Sequence, residues 1–179
     1  MRKTYHPQEI TNPIYLKYAK IYTQIEYLEK KNRGRPSIFT WNEPLKLGLK
    51  AAPTFIVYES LFRYAGYDDK KIKCLINGLT FLSASMQLID DLADAKDDLK
   101  NGFETLVVKG YFEKFGNSIE VTEEKIDQIL SQERLKLIYK TGQELFGEAR
   151  KLVLEHDEDI LQLMIEIQNL NFSTLFEVN

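Results

Sequence analysis

The sequence has few of the residues that form covalent cross-links or bind metals through nitrogen and sulfur. Cys74 is the only cysteine among 179 residues, which excludes a disulfide framework and a cysteine zinc site. His6 and His156 are the only histidines and lie far apart in the sequence, so a histidine-rich metal site is excluded. A single cysteine fits a reducing interior, and we expect a cytoplasmic protein.

The chain also lacks a surplus of positive charge and long uninterrupted apolar runs. Its 24 Lys and Arg face 27 Asp and Glu, a formal net charge of -3, so no basic excess is available to neutralise nucleic-acid phosphates. No apolar run approaches the roughly 18 residues of a membrane span. The first residues are not followed by the apolar core of a signal peptide. We therefore expect neither nucleic-acid binding nor a transmembrane segment.

The hydrophobic residues recur at helical spacing, and no stretch alternates in the manner of a strand. The length is typical of one domain, and 44% hydrophobic with 28% charged residues is ordinary for a globular protein. We predict a single all-α domain over 1–179, a helical bundle whose helices run roughly over 13–30, 44–64, 69–100, 122–155 and 158–170. Pro53 should kink the second helix, and Asn101-Gly102 should end the third.

The third predicted helix is apolar on nearly every side between Ile72 and Leu92, which is typical of a helix buried among others. Its end then carries five aspartates within nine residues, at positions 90, 91, 94, 97 and 98. Gln87, Asp91, Asp94 and Asp98 fall at helical steps of four, three and four, so they should share one face.

Such a charge cluster is unfavourable for the helix alone. Like charges at this spacing repel, and negative charge near a helix C-terminus opposes the macrodipole by about 0.3–1 kcal/mol per group. A bound cation would offset these penalties together. Magnesium takes oxygen ligands and is commonly shared between one or two carboxylates and substrate phosphates. The alternative is a solvated acidic surface without a ligand.

Gln87-Leu88-Ile89-Asp90-Asp91-Leu92-Ala93-Asp94 resembles the second aspartate-rich region of class I isoprenoid synthases, the trans-prenyl diphosphate synthases and related terpene synthases. Their pattern is a Phe-Gln pair, two residues, then Asp-Asp-x-x-Asp, and Met86 stands here at the aromatic position. Asp97-Asp98-Leu99-Lys100-Asn101-Gly102 and Thr105 are similar to the tail of that motif in terpene-synthase-like members. Lys50-Ala51-Ala52, forty positions before Asp90, is similar to a Lys-Thr-Ala element whose lysine contacts the substrate diphosphate.

The resemblance implies ionisation of an allylic prenyl diphosphate with Mg²⁺ as cofactor. Asp90, Asp91 and Asp94 would be the catalytic magnesium ligands, and Asp98 would support them. Lys50, Gln87 and Lys100 would bind the diphosphate. The resulting carbocation would be captured by another isoprenoid unit or by an internal double bond.

Four large side chains are candidates for the wall of an apolar substrate pocket, although core packing explains each of them better: Phe55, Tyr58, Phe81 and Met86. Arg33-Gly34-Arg35-Pro36 is faintly similar to a basic Arg-Pro element that binds the second diphosphate of the family. We interpret that stretch as a basic loop.

The chain departs from the family in one large respect. Family members are considerably longer and carry a first aspartate motif well before the lysine element, whereas the 49 residues that precede Lys50 contain none. The chain would thus correspond to the C-terminal half of the fold, and would need a partner chain, a missing N-terminal half or a homo-oligomer. Asp90-Asp91-x-x-Asp94 also aligns with the first motif, whose Arg-Arg-Gly is half satisfied by Lys100-Asn101-Gly102. Gln87 and the spacing from Lys50 favour the second motif.

Two other functions stay open. The chain is a non-catalytic helical subunit derived from that family, or a plain helical interaction domain with a solvated acidic end.

Overall fold

A computed structural model describes residues 7–33, 35, 38–41, 43–117, 120–156 and 159–177. The described residues form helices and contain no strand, which confirms the all-α prediction. A 3₁₀ helix, Leu49–Ala51, joins the second and third of these α-helices: α1 Pro7–Lys31, α2 Leu45–Gly48, α3 Ala52–Tyr64, α4 Asp69–Ala93, α5 Ala95–Lys100, α6 Tyr111–Phe115, α7 Glu123–Ile129, α8 Gln132–Leu154 and α9 Asp159–Glu177.

The long apolar helix α4 is the centre of the bundle. It packs along α8 and against α2 and α3, and its Leu75, Ala84 and Leu88 are fully buried. Among the described helices, α4 alone is long and apolar enough to cross a membrane, with a window of mean hydropathy 1.3 that is 50% buried inside the bundle. A buried core helix has the same length and composition, so the expected absence of a transmembrane segment stays a prediction.

Three of the predicted helices are interrupted. The segment 44–64 divides into α2, the 3₁₀ turn and α3, since Pro53 lies in the first turn of α3 and has no N–H to continue the earlier helix. The predicted helix over 69–100 breaks at Asp94, and the segment 122–155 breaks between α7 and α8. The break at Asp94 matters most, because it separates Asp98 from the helix that carries Asp91.

Several predicted boundaries need correction or are confirmed. Helix α1 begins at Pro7, before the predicted start after Pro13, and α9 continues to Glu177. Asp68 caps α4 by accepting a hydrogen bond of 2.8 Å from the Lys71 amide. Gly102, with φ of 79°, follows α5 in the left-handed conformation predicted for it.

The connection between α5 and α6 is buried, although it is not regular. Its Leu106, Val107 and Val108 are fully buried and join Leu47, Leu88 and Leu99 in a second hydrophobic core beside the α4–α8 packing. The connection packs in this core with Ala84 and Leu88 of α4, and its Glu104 and Thr105 lie near Asp91 and Asp98.

Candidate functional site

A cleft of about 150 Å³ lies where α4 ends and the α5–α6 connection begins. It draws its walls from the end of α1, the segment before α2, the 3₁₀ turn, α4, α5 and the connection. The lining residues are Glu29, Asn32, Arg35, Ile38, Phe39, Lys50, Asp91, Asp98, Phe103, Glu104 and Thr105.

Lys50 and Asp91 form the polar centre of this cleft. The Lys50 Nζ lies 3.8 Å from Oδ1 of Asp91 and 3.2 Å from Oε1 of Glu29. Asp91 is only 2% exposed, and its Oδ1 also accepts a hydrogen bond of 2.9 Å from Nε2 of Gln87. The lysine of the predicted element and one aspartate of the predicted motif therefore meet in space.

Burial and neighbouring charges shift the pKa values of Asp91, Asp98 and Lys50. Burial raises the pKa of Asp91 to about 6, against the opposing pull of Lys50 and of the Gln87 hydrogen bond. Burial, and the nearby Asp94 and Glu29, also raise the pKa of Asp98 despite Lys50. Burial lowers the pKa of Lys50, but the carboxylates of Asp91 and Glu29 outweigh it and hold that pKa above its ordinary value. Lys50 is thus charged, and the carboxylates around it outnumber the positive charge that it supplies.

Three buried polar atoms on the cleft wall have no hydrogen-bond partner among the described residues. They are Oδ2 of Asp91, Oε2 of Glu104 and Oγ1 of Thr105. A buried polar group without a partner costs about 1–3 kcal/mol, and more when it is charged. The wall of the cleft therefore has unused capacity to bind a ligand.

The other predicted site residues lie around the cleft rather than in it. Asp90 and Asp94 are exposed and do not line it, because successive helical residues point about 100° apart and the chain turns at Asp94. Lys100 is exposed and its Nζ lies 3.7 Å from Oδ1 of Asp97, outside the lining. Asp98 lines the cleft, and Gln87 supports Asp91 from behind.

The structure places only Asp91 and Asp98, of the four predicted magnesium ligands, on the cleft. Among the residues that the structure describes, no three His, Cys, Asp or Glu side chains are arranged to hold a metal ion. Magnesium is usually held by one or two carboxylates together with phosphate oxygens and water. Asp91 and Asp98 fit that mode of binding, whereas a cage of Asp90, Asp91, Asp94 and Asp98 does not fit these positions.

Several of the lining residues lie outside every motif recognised in the sequence. Glu29 lies in the last turns of the amphipathic helix α1 and Asn32 in the turn that follows it, both without a motif, and Glu104 lies in an irregular stretch. Arg35 belongs to the stretch interpreted as a basic loop, yet it lines the cleft, and Arg33 lies over the Phe103 ring at 4.4 Å. Gly34 and Pro36 of that stretch lie outside the described residues.

The predicted apolar wall residues do not line this cleft. Phe55 is a core residue, 1% exposed, and Tyr58 and Phe81 pack against the core from its edge. Met86 is 40% exposed. Of these four, Phe55 lines a separate cleft of about 410 Å³ between α1, α3 and α4.

That second cleft contains a buried carboxylate whose hydrogen bonds are satisfied. Oε2 of Glu59 accepts from Tyr18 Oη at 2.6 Å and from Lys17 Nζ at 2.7 Å, while Oε1 accepts from Arg63 Nε at 3.0 Å and Nη2 at 2.9 Å. Burial raises the pKa of Glu59, but the hydrogen bonds from Lys17, Tyr18 and Arg63 outweigh it and hold that pKa below its ordinary 4.5. The network ties α1 to α3 and is structural.

Glu59→Gln is expected to lower the free energy of unfolding by about 2 kcal/mol, since an amide must turn its NH₂ toward donors that need an acceptor. A group with a lowered pKa stabilises the fold above its ordinary pKa, and that contribution disappears as the pH falls through the lowered value. The gap between wild type and variant should therefore narrow below about pH 4.5 in urea titrations. The matched control is Glu43→Gln, an exposed residue paired with Lys46, for which a change below about 0.5 kcal/mol is expected. A gap that is constant with pH would contradict the role of the Glu59 charge.

Comparisons of this chain with protein-family models, with curated proteins and with solved structures give no match. The resemblance to isoprenoid synthases therefore depends on the quoted residues alone.

Proposed function

We propose that this chain forms the acidic half of a magnesium-dependent site that ionises an allylic prenyl diphosphate, within a bundle related to the C-terminal half of the class I isoprenoid synthase fold. The observation that carries the proposal is the meeting of Lys50 with Asp91, 3.8 Å apart, in a cleft that Asp98 also lines. Two motifs forty positions apart in the sequence converge there.

The charge balance of the cleft favours a metal-bound diphosphate over a free one. The carboxylates of Glu29, Asp91, Asp98 and Glu104 line it against the cations Lys50 and Arg35. A free diphosphate would be repelled by this surplus of negative charge, whereas a divalent cation would be attracted. Ligand and metal are therefore expected to bind together.

The proposed chemistry is heterolysis of the allylic C–O bond, with the electron pair leaving on the diphosphate. Magnesium, when bound, supplies charge neutralisation for that leaving group. Asp91 and Asp98 would hold the metal, and Gln87 keeps Asp91 oriented. Lys50 and Arg35 would donate hydrogen bonds to the phosphate oxygens, whose charge increases as the bond breaks. The carbocation would be captured by a second isoprenoid unit or by an internal double bond.

The size of the cleft supports the expectation of a partner chain, a missing half or a homo-oligomer. Ligand sites usually enclose about 300–1,000 Å³, whereas this cleft offers about 150 Å³, enough for a polar headgroup but not for a prenyl chain. The outer surfaces of α1 and α3 also expose large apolar side chains, among them Tyr15, Leu16, Val57, Leu61 and Tyr64. A second bundle that covers such surfaces would complete the site.

A second candidate function is a non-catalytic helical subunit of the same lineage. It is favoured by the positions of Asp90 and Asp94, which point away from the cleft although the motif would make them magnesium ligands. The catalytic function predicts that metal and ligand together stabilise the chain, and the non-catalytic subunit predicts no stabilisation.

The proposal predicts that magnesium with geranyl or farnesyl diphosphate raises the melting temperature, while neither component does so alone. At a ligand concentration of 100 times Kd the gain would be about 2.7 kcal/mol. Lys50→Gln should abolish this gain, because it removes the cation at the centre of the cleft. Lys46→Gln, one turn earlier on an exposed face, is the matched control and should keep it. No stabilisation of wild type by the combination, with the chain alone or as its oligomer, would favour the non-catalytic subunit.

A further inference from the structure

We infer that Glu104 is a further protein ligand, in addition to Asp91 and Asp98, for a divalent cation in the cleft. The inference deepens the proposed function and rests on it only for the identity of the diphosphate that the cation would carry. It adds a residue from outside the aspartate motif, on the buried connection that follows α5.

The Glu104 side chain is held by a hydrogen bond at one oxygen and has no partner at the other among the described residues. Its Oε1 accepts a hydrogen bond of 3.3 Å from the Phe112 amide. Its Oε2 is buried without a partner among the described residues, and the whole residue is only 6% exposed. Asp91 has the same arrangement, with Oδ1 bound by Gln87 and Oδ2 buried and unpaired. Both residues line the one cleft of about 150 Å³.

Two cations that contact the buried connection do not compensate Glu104. Arg134 uses its Nη1 to donate to the backbone carbonyls of Val107 at 3.2 Å and Lys109 at 2.8 Å. The Lys109 Nζ donates to the backbone carbonyl of Phe39 at 3.4 Å. Each side chain thus supports the buried connection itself, and the Glu104 carboxylate remains without an ion pair among the described residues.

A hydrated divalent cation suits this arrangement better than a further protein group. The cleft holds the volume of about five water molecules, at about 30 Å³ each. Magnesium accepts one or two carboxylates directly and keeps several waters, so Asp91, Asp98 and Glu104 need not all contact one ion, and some can bind it through its waters. The hydroxyl of Thr105, buried and unpaired beside Glu104, offers a further oxygen to such a hydrated ion.

The test uses Mn²⁺ as a paramagnetic probe, titrated into the full chain by electron paramagnetic resonance with and without inorganic diphosphate. Glu104→Gln keeps an oxygen for the Phe112 amide and removes only the charge. We expect it to weaken Mn²⁺ binding at least tenfold. Glu113→Gln, exposed on α6, is the matched control and should bind as wild type does. If circular dichroism shows that Glu104→Gln does not fold, Glu104→Asp is the second variant. It keeps the charge on a side chain that is one methylene shorter, so the carboxylate lies further from the ion and the same weakening is expected.

The outcomes separate this inference from the proposed function. Equal Mn²⁺ affinity of wild type and the Glu104 variant would overturn the inference, even where magnesium and geranyl diphosphate still stabilise the wild type. Binding of Mn²⁺ that depends on Glu104, without any response to geranyl diphosphate, would support the inference and reject the proposed function. No Mn²⁺ binding by wild type, with diphosphate present or absent, would overturn both.

Discussion

Gly48→Ala is expected to lower the free energy of unfolding by about 3 kcal/mol, at the upper end of the range for overpacked sites. For a chain of this length the melting temperature should fall by about 6–12 °C. The backbone of Gly48 is ordinary, with φ of -61° and ψ of -21°, so the glycine is not needed for its conformation. It is needed because a Cβ would lie 2.1 Å from the backbone carbonyl oxygen of Thr80 on α4.

The clash is with backbone in the middle of the central helix, and no side-chain rotation relieves it. Helix α2 would have to move away from α4 by about 1 Å to restore an ordinary contact distance. That movement opens the packing of the fully buried Leu47. It also carries Lys50, two residues further on, away from Asp91, so the response to magnesium and diphosphate should weaken together with the stability.

Gly147→Ala is the matched control. Gly147 is also helical, but it is exposed on α8 and a Cβ there would meet nothing within 4 Å. Alanine should stabilise the chain there by about 0.5–1 kcal/mol, since it favours a helix over glycine. Urea denaturation of the two variants checks the pair. A Gly48→Ala variant as stable as wild type would mean that α2 and α4 do not pack as closely as this structure has them.

The sequence was sufficient to predict the helical class, the buried character of α4 and the neighbourhood of Lys50 and the aspartates. The first two follow from apolar residues at helical spacing, whereas the third follows from the resemblance of two short motifs to those of a known family. The breaks within three helices were harder to predict. At Asp94 no glycine or proline marks the turn, and buried Ala95 and Leu99 decide the direction of α5 through their packing.

The composition of the cleft depends on contacts between segments far apart in the sequence. Glu29, Arg35 and Glu104 come from three segments, and none of them lies in a pattern that indicates a site. Glu104 follows a stretch without periodicity, and its position is set by Leu106, Val107 and Val108, which anchor the connection in the second core. Only the packed structure brings these three charges to the end of α4. The motif alone also could not tell which aspartates face inward.

Asp91→Asn is expected to stabilise the metal-free chain at neutral pH while it removes the proposed ligand response. Burial raises the pKa of Asp91 from 3.8 to about 6, so the folded chain binds a proton more tightly than the unfolded chain does. The contribution of Asp91 to the free energy of unfolding should therefore fall by up to about 3 kcal/mol as the pH rises from about 4 to about 6. Above pH 6 this contribution should stay level.

The asparagine variant carries no such charge. Its gain in free energy of unfolding over wild type should therefore be absent near pH 4 and complete above pH 6, in urea titrations with a chelator present. The groups that face Asp91 limit the size of the effect: Lys50 retains Glu29 at 3.2 Å, and the Gln87 hydrogen bond can be kept by the amide oxygen. The carboxylates of Asp98 and Glu29 oppose the Asp91 charge and act in the same direction as burial.

Asp90→Asn is the matched control, one residue earlier and exposed, for which we expect a change below about 0.5 kcal/mol at every pH. In the ligand assay Asp91→Asn should lose the stabilisation by magnesium and geranyl diphosphate, whereas its metal-free melting temperature rises. A variant that is more stable and yet no longer binds would show that the Asp91 charge serves ligand binding and not the stability of the fold. Loss of stability at neutral pH would show that Asp91 serves the fold through Lys50, and the acidic cleft would then be a structural ion pair.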